Sequence, residues 1–543
     1  MNKWSAHCLP LLALPLMVAC GGGSTGGFTP SASAVSTPGA LLYPATAPAG
    51  QVSLSAAQFK ANLTATTSGQ QLYALATGGA AGATLPCGVE VHKLEFYTKG
   101  GGMTPETIHS SGALMVPTGA GCTGPRPIVL YAHGTTTDKS YDISALQLPA
   151  NPANSESALI ATLFASNGFI VVAPNYAGYD DSTLSYHPYL NASQQAGEMA
   201  DALIAARAAL PLIGTVSDLG LLYVTGYSQG GHVAMATVRH LEANAATYGP
   251  VRASAPLSGP YALGAFGDAL FAGNVDIGAT LFVPLLSTSY QHAYGNLYTQ
   301  TSDIYAPQFA SGIDTLLPSQ YSETQLFTQG LLPQTALFNS APSGPFAFLA
   351  AAQFQNPGQG GFGMGTTFLV NDATRASYLA DAQTNPDPAL TQPPSGILPA
   401  PTAASPIRAA LIRNDLRAQD GGSPGFWRPH SPMLLCAGGA DPVVFSVNTK
   451  IISGYFGAAP ASVAGSYPLP LVLNMDPGTG SRAALSSSPG LDTLFGALEA
   501  AFGATAAADA TANGLQQAQI DYHGNVAPFC TAAALQFFHS NLP

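Results

Sequence analysis

The sequence predicts an α/β fold: a doubly wound, mostly parallel sheet interrupted by one large insertion. Three observations predict it. Short, nearly continuous apolar runs recur along the chain, as strands buried on both faces require. Segments with helical apolar spacing lie between them, and that alternation wraps helices over a parallel sheet. Residues 260–430 then break the rhythm with a Phe-, Tyr-, Leu-, Gln-, Pro- and Gly-rich stretch too long to be a loop.

The chain opens with an address. Lys3 gives a weakly basic start, and Leu9 to Val18 is an apolar run too short to span a bilayer. Leu16-Met17-Val18-Ala19-Cys20 resembles a bacterial lipobox, with Met17 where leucine is usual. Residues 1–20 are therefore expected to be a lipoprotein signal peptide, with Cys20 lipidated as the mature N-terminus. The partner this implies is the membrane of the bacterial cell envelope, the outer membrane in the first instance. A simply cleaved signal, with release outside the cell, is the alternative. Residues 21–50 are rich in Gly, Ser, Thr, Pro and Ala and read as a flexible linker.

The strands are expected at Ser111–Pro117, Pro127–His133, Phe169–Asn175, Leu219–Thr225, Arg252–Gly259 and Pro432–Gly438. Helices are expected at Ala192–Ala209, Gly230–Ala243 and Thr531–Asn541. The core is thus divided, 51–259 and 431–543. Residues 260–430 form a cap or lid between the two parts, and a smaller insert falls near Gly478–Ala518.

Composition narrows the partners. Only 8% of the 543 residues are charged, against roughly 25% in an average domain. The net charge is −12 and the 16 Lys and Arg are scattered, which argues against nucleic acid. No H-E-x-x-H, paired C-x-x-C, or G-x-G-x-x-G after a strand is present, so no metal or organic cofactor is expected. Beyond Cys8 and Cys20, four cysteines remain, an even number that suits an oxidising compartment. Of three pairings, Cys87–Cys122 would bracket the N-terminal strand pair. Cys436–Cys530 would tie the segments carrying the acid and base proposed below. Four separate thiols are the alternative.

One motif carries chemistry. Gly226-Tyr227-Ser228-Gln229-Gly230 matches G-x-S-x-G between an apolar strand and a helical run, the context of a nucleophile elbow. Ser228 is the candidate nucleophile, and it needs a base oriented by an acid. Of His292, His430, His523 and His539, His523 best suits a loop at the sheet edge, with Gly524 after it. His133 precedes Ser228 and reads as a loop-shaping residue. Asp441 follows a strand end and precedes Pro442, which places it well as the acid. Asp476 and Asp521 are its rivals. The oxyanion donors are expected to be the backbone N–H groups of Gln229 and Thr135, with Thr136 next to it. Tyr186-His187-Pro188-Tyr189 belongs near the site, either contacting substrate, docking the cap, or only shaping a loop.

These pieces together resemble the secretory lipase family of the α/β-hydrolase fold. The resemblance rests on LYAHGT (130–135), the run 171–203, VTGYSQGGHVA (224–234), APLSGPY (255–261), GGADPVV (438–444) and YHGNVAPFCTAAA (522–534). It implies a Ser228–Asp441–His523 triad, a cap inserted before the acid-bearing strand, and hydrolysis of hydrophobic acyl or aryl esters. A polyester depolymerase or peptidase would use the same triad, and a non-catalytic surface protein would retain only the fold. The address itself is testable: Cys20→Ser should abolish palmitate labelling in a bacterial host and move the protein out of the membrane fraction.

Overall fold

A computed structural model describes residues 36–543, apart from 80–81, 105, 352–362, 392–403, 419–425, 459–468 and 477–487. The signal segment with Cys8 and Cys20, and most of the linker, lie outside the described residues. Residues from Thr37 onward form one unit. Its strands are β1 (Ala49–Leu54), β2 (Gly88–Lys99), β3 (Thr107–Thr118), β4 (Gly124–Ala132), β5 (Ile170–Pro174), β6 (Val216–Tyr227), β7 (Val251–Leu257), β8 (Ala336–Asn339), β9 (Gly363–Gly365), β10 (Leu434–Ala437) and β11 (Leu471–Asn474). Nine of them make one sheet, in the order β1-β2-β3-β5-β4-β6-β7-β10-β11.

The first strands run antiparallel, and everything from β5 to β11 is parallel. Burial explains the parallel part. Ile128 to Ala132 and Leu222 to Val224 are covered on both faces, so their unbroken apolar runs have no solvent side. From β4 the chain passes to β5 on one side and then crosses back to β6 on the other. This reversal opens a crevice at the carboxyl ends of β4 and β6, where open α/β sheets bind ligands.

All six expected strands are present, but several boundaries differ from expectation. The end of the linker is not free: Gly39 N–H donates to Tyr97 O at 2.7 Å, Leu42 N–H to Glu95 O at 2.9 Å, and β1 begins at Ala49. Three backbone anchors outweigh the low apolar content there. The last helix runs Leu515–Ser540, starting well before Thr531. Gly524 suggested a loop, but Val526, Phe529, Cys530, Ala533 and Phe537 recur at helical spacing and bury one face. The expected second insert contains helix Pro489–Asn513, whose Phe502 packs on Tyr522 and Phe529 of the last helix.

The insertion has its own apolar core, running from Leu263 to Leu411, so it ends before residue 430. Leu416 and the segment at Phe426 and Trp427 already belong to the main core. It is helical, with β8 and β9 forming a two-stranded parallel sheet. Tyr189 and Leu190, from the main chain path, join this second core. Buried Arg417 fastens the two: it pairs with Asp387 at 2.6 Å and Asp415 at 2.7 Å, while Asp415 also accepts from Gly264 N–H at 2.9 Å. Arg408 grips Asp268 with two bonds, at 2.8 and 2.9 Å. Breaking such buried pairs leaves an unpaired charge, so they hold one geometry firmly.

Both expected disulfides form. Cys87–Cys122 spans Cα atoms 5.9 Å apart beside the β2–β3 pair, and Cys436–Cys530 joins β10 to the last helix at 5.6 Å. Among the described residues, no helix is long and apolar enough to cross a membrane.

Asp201, on helix Ala192–Ile213, accepts from Thr98 Oγ1 at 2.7 Å. Burial pushes its carboxyl up to about 7, and neighbouring Glu198 adds to the effect. A raised carboxyl binds its proton more tightly folded than unfolded, so stability falls as pH rises from about 4 to about 7. Asp201→Asn keeps the acceptor without the charge. It should raise Tm at pH 8 by roughly 2–4 °C per kcal/mol relieved, and leave Tm at pH 4 unchanged, by calorimetry.

Candidate active site

Ser228 follows β6 directly and begins helix Gln229–Ala243. Its backbone is held at φ 62° and ψ −122°, a strained conformation for a residue with a side chain. Its N–H donates to Leu257 O at 3.0 Å, which pins the bend to β7. The flanking glycines have a defined reason. A Cβ at Gly226 or Gly230 would collide with the Ala132 carbonyl of β4. The elbow therefore needs both glycines to lie against its neighbouring strand.

Asp441 lies past the end of β10, as expected, and is buried. Its Oδ1 accepts from the N–H groups of Val443 and Val444, at 2.9 and 3.1 Å. Its Oδ2 accepts from Ser258 Oγ at 3.1 Å and meets His523 Nδ1 at 2.6 Å. The carboxylate is thus fully hydrogen-bonded and aimed at one imidazole. His523 sits on the last helix rather than on a loop, with Tyr227 OH donating to its carbonyl at 2.6 Å. Its Nε2 is buried and has no hydrogen-bond partner among the described residues. Ser228 and His523 line the same cavity, of about 1150 Å³.

The rival positions are accounted for. Asp476 accepts from the N–H groups of Gly439 and Ala440 and from Tyr522 OH. It braces the turn that carries Asp441 and the residue beside His523. Asp521 accepts from Gln517 Nε2 at 2.9 Å. His292 stacks on Tyr186 at 3.7 Å, His430 is near Glu242, and His539 stacks on Phe169. His133 shapes the loop after β4. It lies between Tyr141 and Tyr176, its ring nitrogens face the carbonyls of Gly134 and Asn175, and burial lowers its pKa.

That loop is heavily braced. Glu156 accepts from Gly134 N–H at 3.1 Å, Tyr131 OH at 2.7 Å and Tyr141 OH at 2.8 Å. Tyr179 OH donates to Thr136 O at 2.6 Å, and Thr135 Oγ1 meets Tyr189 OH at 3.0 Å. Gln229 is fixed from the other side. Burial lowers the His187 pKa to about 3, so its ring is neutral. Its Nδ1–H donates to Ala177 O at 2.9 Å, and its Nε2 accepts from Gln229 Nε2 at 2.7 Å. The Tyr186–Tyr189 segment therefore does two things: it docks the cap through Tyr186–His292 and Tyr189–Phe282 stacking, and it steadies Gln229. Neither Glu156 nor the His187–Gln229 bond has a sequence signature, because both partners are brought together only by the fold. Tyr227 fills a variable position of the G-x-S-x-G motif, so the motif does not specify it either.

A second, smaller and mostly apolar cavity of about 90 Å³ also meets Ser228. It is lined by Gln229 and by cap residues such as Leu263, Phe282 and Ile407. Thr135 borders both cavities, and His523 borders only the larger one. A hydroxyl on a strained bend and an imidazole backed by a buried carboxylate are parts of acyl-transfer chemistry.

The sheet order and the strand-end elbow define the α/β-hydrolase fold, and solved structures agree. The chain is similar to LipA of Xanthomonas oryzae, described as a rice cell wall degrading esterase, at 24% identity. That match covers 84% of this chain and 95% of that one, with a TM-score of 0.59. It is also similar to a Legionella pneumophila protein solved as a candidate hydrolase, at 15% identity, over 91% of this chain and 96% of that one, with a TM-score of 0.58. No protein-family model and no curated protein sequence matches the chain.

If Asp476 braces the acid turn, Asp476→Ala should slow fluorophosphonate labelling of Ser228 about tenfold, the cost of roughly one lost hydrogen bond or two. A normal Tm alongside would show that the fold is intact.

Proposed function

We propose that the chain is an exported, lipid-anchored serine carboxylic ester hydrolase. Ser228 is its nucleophile, His523 its base and Asp441 the acid that orients the base. The observation that carries this is the pairing of Asp441 with His523 Nδ1 at 2.6 Å, while the unpartnered Nε2 shares a cavity with the strained Ser228. No bond joins Ser228 to Nε2 in the resting site, and such bonds often tighten only when substrate binds. The esterase description of Xanthomonas oryzae LipA supports the same reading.

The reaction is two-step acyl transfer. His523 Nε2 takes the Ser228 proton as Oγ attacks the ester carbonyl. The charged imidazole is held by Asp441, and the oxyanion is bound by the N–H groups of Gln229 and Thr135. His523 then returns the proton to the departing alcohol, and water repeats the cycle on the acyl-enzyme. This order assigns the two cavities. The leaving alcohol must face His523, so it occupies the larger cavity. The acyl chain lies on the Gln229 side, in the apolar one. At about 90 Å³ that pocket is smaller than the roughly 150 Å³ cavity that takes up a benzene ring, so a short acyl chain fits best.

Two measurements test this. Ser228→Ala should lose fluorophosphonate labelling and ester hydrolysis together, and His523→Ala should lower kcat by about a thousandfold or more. Across p-nitrophenyl esters, kcat/KM should peak at butyrate or hexanoate and fall steeply by palmitate; a palmitate optimum would contradict the acyl assignment.

A further inference from the structure

The apolar pocket contains one side chain that does not belong there on grounds of packing. Asp276 lies between helix Leu263–Phe271 and helix Ala279–Tyr294 and lines the pocket. It is 2% exposed, and its Oδ1 has no hydrogen-bond partner among the described residues. Ile277 N–H next to it donates to Pro442 O at 3.0 Å, so this stretch is tied to the turn bearing Asp441. A buried carboxyl oxygen without a partner is costly and calls for a ligand or an unrecorded role. Asp276 cannot be a second acid for the triad, because His523 Nδ1 is already taken by Asp441.

We propose that Asp276 recognises a hydroxyl group on the acyl chain, so that the favoured substrates are esters of short hydroxyalkanoic acids. This rests on the ester hydrolase reading and on the acyl assignment of the apolar pocket. The chemistry follows from the state of the carboxyl. Burial raises its pKa well above the usual range, and the charge on Asp441 pushes the same way. Burial thus favours its neutral form, which presents an O–H donor beside an acceptor oxygen. A hydroxyl is also both donor and acceptor, so it satisfies the carboxyl without introducing charge. A plain alkyl chain would leave the carboxyl unpaired, and sites built this way discriminate strongly against the analogue that lacks the polar group. A carboxylate on the acyl chain would be rejected, since it would have to be buried in an apolar pocket near Asp441.

The test compares matched p-nitrophenyl esters on the full-length protein: 3-hydroxybutyrate against butyrate, and 6-hydroxyhexanoate against hexanoate. In the native protein, kcat/KM should favour the hydroxy ester by about tenfold or more in at least one pair. Asp276→Val should bring that ratio to about one, whereas Asp276→Asn, which keeps a donor and an acceptor, should retain it. Ratios near one for both pairs in the native protein would overturn the proposal, as would a ratio unchanged in Asp276→Val. Should Asp276→Val fail to fold, the native ratios and Asp276→Asn decide the matter. Failure of the broader reading looks different: no ester of either series would be turned over in a Ser228-dependent way, and both ideas would fall.

Discussion

The 2.6 Å contact between Asp441 Oδ2 and His523 Nδ1 joins residues 82 apart in sequence, and the geometry of the site hangs on it. Neither side chain could hold that separation from its own backbone alone. Asp441 is fixed by two N–H groups ahead of it and by Ser258, and its turn is gripped from outside by Asp476. His523 is carried by a long helix whose Cys530 is bonded to Cys436 on β10. The disulfide lies two helical turns beyond the imidazole and five residues before the carboxylate. It therefore ties the strand and the helix that carry the pair, leaving the turn itself to hydrogen bonds.

The other half of the site depends on a different constraint, the close approach of β4 and β6. The bend at Ser228 lies so near the end of β4 that only glycine fits at Gly226 and Gly230. The same closeness brings the loop after β4 beside Ser228. That loop is short of regular structure, and its shape is imposed by Glu156, the tyrosines around His133, and Tyr189. The cap then converts an open crevice into two compartments of unequal size and polarity. Its attachment through Arg417, Asp387 and Asp415 is buried and multiply bonded. It serves as a fixed wall for the apolar cavity.

Much of this was legible in the sequence, for identifiable reasons. Strands buried on both faces write themselves as apolar runs, so β3 to β7 and β10 were visible. Ser228, Asp441 and Thr135 sit at strand ends, where a turn signature marks the spot. The four cysteines paired as expected because each pair flanks elements that must lie together. The setting of His523 differs from expectation because Gly524 signals a loop locally, while tertiary burial of Val526, Phe529 and Cys530 extends the helix. The cap boundary was missed because the docking segment at Asn414–Arg417 is polar yet buried, the opposite of what composition suggests. Glu156, Ser258 and Asp276 left no trace in the sequence. Their meaning comes only from neighbours that are remote along the chain.

Burial lowers the pKa of His133, that of His187 to about 3 and that of His232 to about 4. Unfolding would let each take up a proton below about 6.5, so they cost stability as acid is added. The buried carboxyls Asp201 and Glu242, both raised to about 7, act in the opposite sense, because they already hold their protons in the folded state. Between about pH 4 and 6.5 the two sets pull against each other. The interior therefore holds titratable groups of both senses, and each set offsets part of the other. How the fold answers to acid is thus written into which polar groups its interior encloses.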